Sequence, residues 1–281
     1  MTSPPETGSI PEIAQEASSR REAPLRRQLR SSMLRTVLSY GLIEEGDRIL
    51  VAVSGGKDSA TLLDLLLEAR RRAPVSFEIL ALHVDQGQPG YDGSPLRSWL
   101  EGLGVPFEIL REDTFSIVKE KTLPGATYCR VCARLRRGIL ATAGARLSCN
   151  KLALGHHRDD SLETLLLNLF YAGRLQAIPA RYTTFDGNLE VVRPLIECAE
   201  ADIAQHAREA GYPILPCNLC GTQENLKREE MARLLAELEE KIPDVRQVML
   251  AALKNVRPSH LLDPEVAAAW KTAAPLYDER R

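Results

Sequence analysis

The chain has 281 residues, 44% of them hydrophobic and 26% charged, with a formal net charge of −2. That is the profile of an ordinary globular protein with one large domain or one domain with appendages, and the charge argues against a protein wrapped in nucleic acid by bulk electrostatics. No run reaches the ~20 apolar residues of a membrane span, and the N-terminal stretch MTSPPETGSIPEIAQEASSRREAPLRR has no signal-peptide core, so the expected setting is cytoplasmic, with no membrane partner.

Residues 1–28, rich in Pro, Ser, Glu and Ala, are expected to be a disordered tail. Met33, Leu34, Val37, Leu38 and Leu42 then form a helical stripe over 31–42. An apolar, β-branched run at 47–53 predicts a strand. It breaks into Ser54-Gly55-Gly56-Lys57-Asp58-Ser59, and a helix is expected over 59–70. A strand ending in a glycine turn at a helix N-terminus is an anion site: the glycines let the backbone approach a phosphate, and the first helical N–H groups are unpaired. Lys57 adds a cation and the serines add hydroxyl donors. The loop is shorter than a Walker A loop and carries an acid directly after the lysine, so it is a different phosphate loop. SGGKDS resembles the PP-loop of the ATP pyrophosphatases, which cleave ATP between the α and β phosphates and leave AMP on a substrate oxygen.

Further along, strands are expected at 77–84, 106–110, 151–154 and 190–192, and helices at 95–103, 133–147, 160–170, 199–210, 224–239 and 243–255, with a loop or short helix around 112–128. The alternation predicts an α/β fold, a doubly wound parallel sheet of about five strands with a helical C-terminal region. The domain would occupy 29–262, with 263–281 as an extension. Ligands in such sheets sit beyond the carboxyl ends of the strands. Three strand ends carry polar groups there: SGGKDS, His83-Val84-Asp85, and Gly155-His156-His157-Arg158-Asp159-Asp160. Asp85 could instead start a turn, and Asp159 or Asp160 could cap a helix.

Six cysteines are present, and four form two CxxC pairs, Cys129/Cys132 and Cys217/Cys220. In a reducing compartment this pattern favours metal or redox chemistry over disulfides. A four-cysteine zinc site, an iron–sulfur cluster and a redox pair are all open, and spacing alone favours zinc. The first pair is expected just before a helix. Cys149 and Cys198 are expected to be inert core thiols. Arg130, Arg134, Arg136 and Arg137 crowd the first pair and call for an anionic neighbour, whereas Arg70-Arg71-Arg72 fit a helix C-terminus.

The ordered blocks SGGKDS, VDQGQPG, IVKEK, CRVCARLRRGIL, LALGHHRDD, VVRPL, PCNLCGTQENLKR and NVRPSHL, spread over about residues 30–262, resemble the tRNA 2-thiocytidine synthetases, the TtcA family. The resemblance implies adenylation by ATP of the C2 oxygen of cytidine at tRNA position 32, and its replacement by sulfur delivered through a [4Fe-4S] cluster. By the same resemblance, Ser54, Gly55, Gly56, Lys57, Asp58 and Ser59 form the ATP phosphate loop. His83, Asp85, Gly155 and His156, at the other polar strand ends, are the further nucleotide-binding candidates, His83 being a departure from the family pattern. Lys57, Asp58, Arg136 and Asp160 are the catalytic candidates, and Asp58 or Asp160 would hold Mg2+. Three cysteines, Cys129, Cys132 and Cys220, would ligate the cluster and leave one iron open, with Cys217 the alternative third ligand. The implied partners are tRNA and a cysteine desulfurase or other sulfur donor, and a homodimer is compatible. A tRNA 2-thiouridine synthetase is the nearest competing function. Lysidine-synthetase and amidotransferase types need no metal cysteines, and stress-protein-type nucleotide modules lack SGGKDS.

Overall fold

The computed structural model describes residues 23–115, 128–184, 187, 189–215 and 223–273, excluding the side chains of 128–134, 223–225 and 272–273. Six strands form one sheet in the order β3-β2-β1-β4-β6-β5. Strands β1 (Arg48–Ala52), β2 (Glu78–Asp85), β3 (Phe107–Arg111), β4 (Lys151–Ala153) and β6 (Glu190–Val192) are mutually parallel. Strand β5 (Arg181–Thr183) runs antiparallel to β6 at the edge. Five parallel strands match the expectation, and β5 is an addition to it. Three mostly polar, exposed residues (Arg181, Tyr182, Thr183) carry no hydrophobic alternation that could announce a strand.

Because β1 lies between β2 and β4, successive crossovers leave it in opposite directions. The loop after β1 therefore opens into the crevice where such sheets bind ligands. The strands alternate between two cores. Ile49, Val51, Val53, Ile79 and Ala81 face α2 (Lys57–Arg72), while Leu50, Leu82, Leu152 and Val191 face Leu140 and Ala143 of α4 (Tyr128–Arg146). Helix α1 (Pro24–Tyr40), α3 (Ser94–Leu103) and α6 (Glu200–Ala210) complete the first layer. A third cluster joins Leu162 and Leu166 of α5 (Arg158–Leu167) to Met231 and Leu235 of α7 (Gln223–Lys241). Helices α8 (Val245–Lys254) and α9 (Pro264–Ala273) follow, the latter inside the expected extension.

Two helices start earlier than their apolar patterns suggest. Helix α1 begins at Pro24, within the stretch expected as tail. Its polar first turns are held by ion pairs: Arg26 reaches Asp64 at 2.9 Å and Glu68 at 3.2 Å on α2, and Arg30 reaches Glu68 at 3.4 Å. Helix α4 begins at Tyr128 instead of 133, so Cys129 and Cys132 lie inside its first turns and not ahead of it. No glycine or proline interrupts 128–132, and the residues there are tolerated in helices. The expected strand ends, by contrast, fall within a residue or two of their places.

The amino edge of the sheet is tied by a buried cation. Lys151 is 3% exposed, and its Nζ lies 3.0 Å from Asp47 Oδ2 and 3.3 Å from Glu190 Oε2. It also donates to the Leu42 carbonyl at 3.1 Å. Asp47 further accepts from the Asn150 amide at 2.7 Å and the Glu44 N–H at 2.6 Å. Replacing the ammonium while keeping its stem, as in Lys151→Met, leaves the Asp47 charge buried without its cation. The expected loss in urea unfolding is about 3–5 kcal/mol; a loss below about 1 kcal/mol would show the cluster to be incidental.

Candidate active site

The phosphate loop is held in shape by one hydroxyl. Ser59 Oγ accepts from the Ser54 N–H at 3.1 Å, lies 3.1 Å from Ser54 Oγ, and donates to the Gly56 carbonyl at 3.0 Å. Ser54 Oγ in turn accepts from the Gly56 N–H at 3.3 Å. No side chain caps α2, whose N-cap is Gly56, so its first-turn N–H groups remain for a ligand. Gly55 adopts φ +85°, where any side chain is strained, and a Cβ there would sit 2.9 Å from the Leu215 side chain. Leu215 also donates its N–H to the Gly55 carbonyl at 2.9 Å.

The end of β4 closes tightly on this loop. A Cβ at Gly155 would meet Ser59 N at 2.9 Å and Asp58 C at 3.0 Å, both backbone atoms. Helix α5 then starts with a capping box: His157 Nδ1 accepts from the Asp160 N–H at 3.3 Å, and Asp160 Oδ2 accepts from the His157 N–H at 3.1 Å. His157 Nε2 lies 3.8 Å from Asp58 Oδ1 and 3.4 Å from Asp160 Oδ2, so the histidine stands between the two carboxylates.

The adjacent acids Asp159 and Asp160 do different work, since consecutive helical positions face different directions. Asp159 is buried: it accepts from the Glu200 N–H at 2.8 Å and pairs with Arg246 at 2.7 Å and Arg158 at 3.3 Å. Burial pushes its carboxyl up, but the Glu200 N–H and the two arginines outweigh that and hold it below the usual range. Asp160 lines the cavity, with Arg228 of α7 3.8 Å from its Oδ1.

That cavity has a volume of about 660 Å³ and is walled by Ser54, Asp58, Ser59, Gly155, His156 and Asp160 from the two loops. Arg136, Arg137 and Leu140 of α4 also line it, as do Gln176–Pro179, Tyr182, Arg193 and Arg228. The volume is in the range of small-molecule sites. Asp58 Oδ1 is buried and has no hydrogen-bond partner; Lys57 Nζ lies 3.1 Å away as an ion pair. The Lys57 ammonium also pairs with Glu200 Oε1 at 2.9 Å and does not line the cavity. Burial works against its charge, yet Asp58 and Glu200 prevail and keep it above the ordinary lysine range.

His156 accepts from Arg193 Nε at 3.2 Å. Burial and the neighbouring Arg193 cation depress its pKa to about 4, so the ring is neutral near pH 7. Arg193 is itself buried; it donates to the Pro179 carbonyl at 2.8 Å and lies over the Tyr182 ring at 5.2 Å. His83 and Asp85 are off the cavity wall. His83 is buried, with Nδ1 donating to the Val53 carbonyl at 2.7 Å and Nε2 accepting from the Tyr91 hydroxyl at 2.6 Å. Asp85 closes a turn by accepting from the Gly87 N–H at 2.9 Å. Cys217 and Cys220 lie outside the described residues, as do the side chains of Cys129, Cys132, Arg130 and Arg134. Cys149 and Cys198 are buried free thiols, and burial pushes Cys198 up to about 11, which suits inert packing.

A strand-loop-helix phosphate site, two carboxylates and a sheet switch point define a nucleotide-binding α/β enzyme. A family model described as a PP-loop domain matches residues 25–215. A tRNA-cytidine(32) 2-sulfurtransferase of Sorangium cellulosum is 51% identical over 88% of this chain and 86% of its own length. One from Pseudoalteromonas atlantica is 48% identical over 89% of this chain and 79% of its own. The chain therefore belongs to the PP-loop family and, within it, to the tRNA-cytidine(32) 2-sulfurtransferases. In fold it is similar to a U34-tRNA thiolase, NcsA from Methanococcus maripaludis, solved with its [4Fe-4S] cluster (TM-score 0.63, 20% identity, 88% of each chain).

Glu200, Tyr182, Arg193 and Arg228 were not among the sequence candidates. Arg193 and Arg228 fall in the VVRPL and PCNLCGTQENLKR blocks, which was the available signal; Glu200 meets Lys57 across 143 residues of chain and had none.

Two outcomes test this geometry. Gly155→Ala pushes a methyl into the backbone of α2, and should lower both thermal stability and ATP affinity, by about 1–3 kcal/mol in unfolding; unchanged melting and ATP titration would refute the close approach. Glu163, raised to about 7 chiefly by burial and then by the Asp160 charge, resists ionisation in the folded state. Its folded pKa lies above its unfolded value, so its contribution is full below the unfolded pKa and is lost as pH rises through about 7. Glu163→Gln should therefore gain in melting temperature relative to the native chain as pH rises across that window, and a flat difference would contradict the shift.

Proposed function

We propose that this chain is an ATP-dependent tRNA-cytidine(32) 2-sulfurtransferase whose chemistry takes place in the cavity between the phosphate loop and the start of α5. The observation that carries the site is the meeting of SGGKDS and GHHRDD on one cavity, with Asp58 and Asp160 both on its wall. The cytidine C2 oxygen is a poor leaving group. Attack of that oxygen on the α-phosphorus of ATP expels pyrophosphate and converts it to part of AMP. Sulfide addition at C2 then breaks the bond to AMP and leaves 2-thiocytidine. The helix N-terminus and Lys57 would receive the departing pyrophosphate, once the lysine leaves Glu200.

The residues present fit Mg2+, which takes oxygen ligands from one or two carboxylates and from the phosphates. Asp58 has a buried oxygen without a hydrogen-bond partner, and Asp160 Oδ1 lies 3.8 Å from Arg228. His157, held by the capping box, fixes the separation of these two acids. Cys129, Cys132 and Cys220, with Cys217 the alternative to Cys220, would hold a [4Fe-4S] cluster, which when bound supplies a site for sulfide delivery. Support comes from the chain around them: α4 carries the first pair and contributes Arg136, Arg137 and Leu140 to the cavity, and Leu215, two residues before Cys217, is bonded to Gly55. Arg136 and Arg137 are exposed and would meet RNA phosphates. Sulfur would come from a cysteine desulfurase or another donor, in the cytoplasm. No helix among the described residues is long and apolar enough to cross a membrane.

The test is nucleoside mass spectrometry of tRNA from a deletion strain complemented with variants. The native chain should restore 2-thiocytidine, while Lys57→Ala and Asp160→Asn, at equal protein level and melting temperature, should not. In anaerobically purified protein, Cys129→Ala, Cys132→Ala and Cys220→Ala should lose iron and Cys217→Ala should keep it. If Cys217→Ala alone of the second pair loses iron, the third ligand is Cys217, and if both do, the site is closed by four thiolates.

A further inference from the structure

Helix α5 does not end in an ordinary cap. It runs into a π-helical turn, Asn168–Ala172, which closes at Gly173 with φ +60°. Such turns are rare and recur at functional sites. Here the turn pushes a short excursion out of the fold. Its base is pinned by Asn168 Nδ2, which donates to the Gln176 carbonyl at 2.8 Å, and by the Arg174 N–H, which donates to the Asn168 carbonyl at 3.0 Å. Asn168 and Gln176 both line the active-site cavity, so residues 169–175 project from its rim.

The excursion is apolar and aromatic at its exposed tip. Leu169 is 46% exposed, Phe170 55%, Tyr171 50% and Leu175 66%. Four large apolar side chains on seven residues are more than the scattered exposure of an ordinary surface. They are interleaved with charge. Lys227 Nζ lies over the Tyr171 ring, 4.4 Å from its centroid, and Arg174 is exposed beside them. Arg228 lies close by in sequence on α7 and reaches the cavity. The acid that meets the tip, Glu230, accepts from the Tyr171 hydroxyl at 3.0 Å. With one face of Tyr171 taken by Lys227, Phe170 is the other exposed ring of the tip. Tyr182, 36% exposed and stacked on Arg193, is a further ring on the cavity wall.

Exposed rings interleaved with cations at the mouth of a nucleotide-sized cavity match the chemistry of an unpaired polynucleotide, whose bases stack on rings while its phosphates meet the cations. We infer that the 169–175 excursion is a stacking platform for the unpaired loop nucleotides that flank the target base, with Phe170 as its principal ring and Arg174 and Lys227 as its phosphate contacts. The inference rests on the tRNA reading above. It assigns to RNA a surface that joins the cavity at Asn168 and Gln176, in addition to the arginines of α4. A neighbouring base held on Phe170 stays stacked when the target base turns inward, which lowers the cost of extruding the target.

The test is binding of a synthetic RNA hairpin with an unpaired, cytidine-containing loop to the anaerobically purified full chain, by fluorescence anisotropy over a series of salt concentrations. ATP affinity without RNA and melting temperature are measured alongside. Phe170→Leu keeps an apolar side chain and removes the ring; it should weaken hairpin binding roughly ten-fold, with ATP affinity, melting temperature and salt slope unchanged. Phe170→Trp should bind as the native chain does or more tightly. Arg174→Ala should lower the salt slope by about one. If Phe170→Leu binds the hairpin as the native chain does, the platform is refuted and the patch serves another partner. If Phe170→Leu and Phe170→Trp are equally impaired, shape and not stacking is at work, and the inference also fails. A native chain that binds no hairpin at all overturns the tRNA reading itself, so the two failures are distinguishable.

Discussion

The buried carboxylate of Asp159 is the interaction on which the geometry of the site depends. It takes the first N–H of α6 through Glu200, the guanidinium of Arg246 from α8 and that of Arg158 from its own helix, and so brings three helix segments to one point. The same helix turn carries Asp160 into the cavity, and the same α6 terminus carries Glu200 to Lys57. A charge with this many partners tolerates burial, and its partners would each be left exposed to an unfavourable environment without it. The backbone agrees: the Arg158 N–H donates to the Cys198 carbonyl at 2.9 Å, tying the start of α5 to the segment leading into α6. Phosphate loop, acid pair and C-terminal helices are thus one assembly, although they come from segments separated by up to about 190 residues of chain.

Steric closeness does the remaining positioning. Gly155 lets the end of β4 press on the backbone of Asp58 and Ser59, and Gly55 lets Leu215 lie against the loop from outside. Both glycines are needed for close approach, and Gly55 also for its positive φ. Lys151 fixes the amino edge of the sheet with two carboxylates and a carbonyl, so both ends of β4 are set, one by charge and one by contact.

Much of this was legible in the order of residues. The strand, glycine turn and helix at 47–70 announce themselves because a β-branched run, two glycines and a 3.6-residue apolar stripe are local signals. The carboxyl-edge location of GHHRDD follows from counting strands. What local pattern does not carry is direction. His83 and Asp85 stand at a strand end in sequence, yet His83 is turned into the interior between Val53 and Tyr91, and Asp85 is spent on its own turn. Likewise nothing local separates Asp159 from Asp160; the distinction comes from Arg246, 87 residues on. The start of α1 was obscured because ion pairs with α2, not an apolar stripe, hold its first turns. Strand β5 was obscured because its three residues are exposed.

The pairing of Lys57 with Glu200 has a consequence for an enzyme that must receive two polyanions. The lysine is 30% and the glutamate 45% exposed, so their attraction is weak and easily exchanged. A phosphate loop whose lysine already has a counter-anion presents little net attraction to a stray phosphodiester, which carries one charge per unit. A triphosphate with its metal concentrates several charges at one point and gains the helix N–H groups as well, so it can displace the glutamate where a polynucleotide backbone cannot. On the proposed function, Glu200 would thereby favour the nucleotide over RNA at this loop.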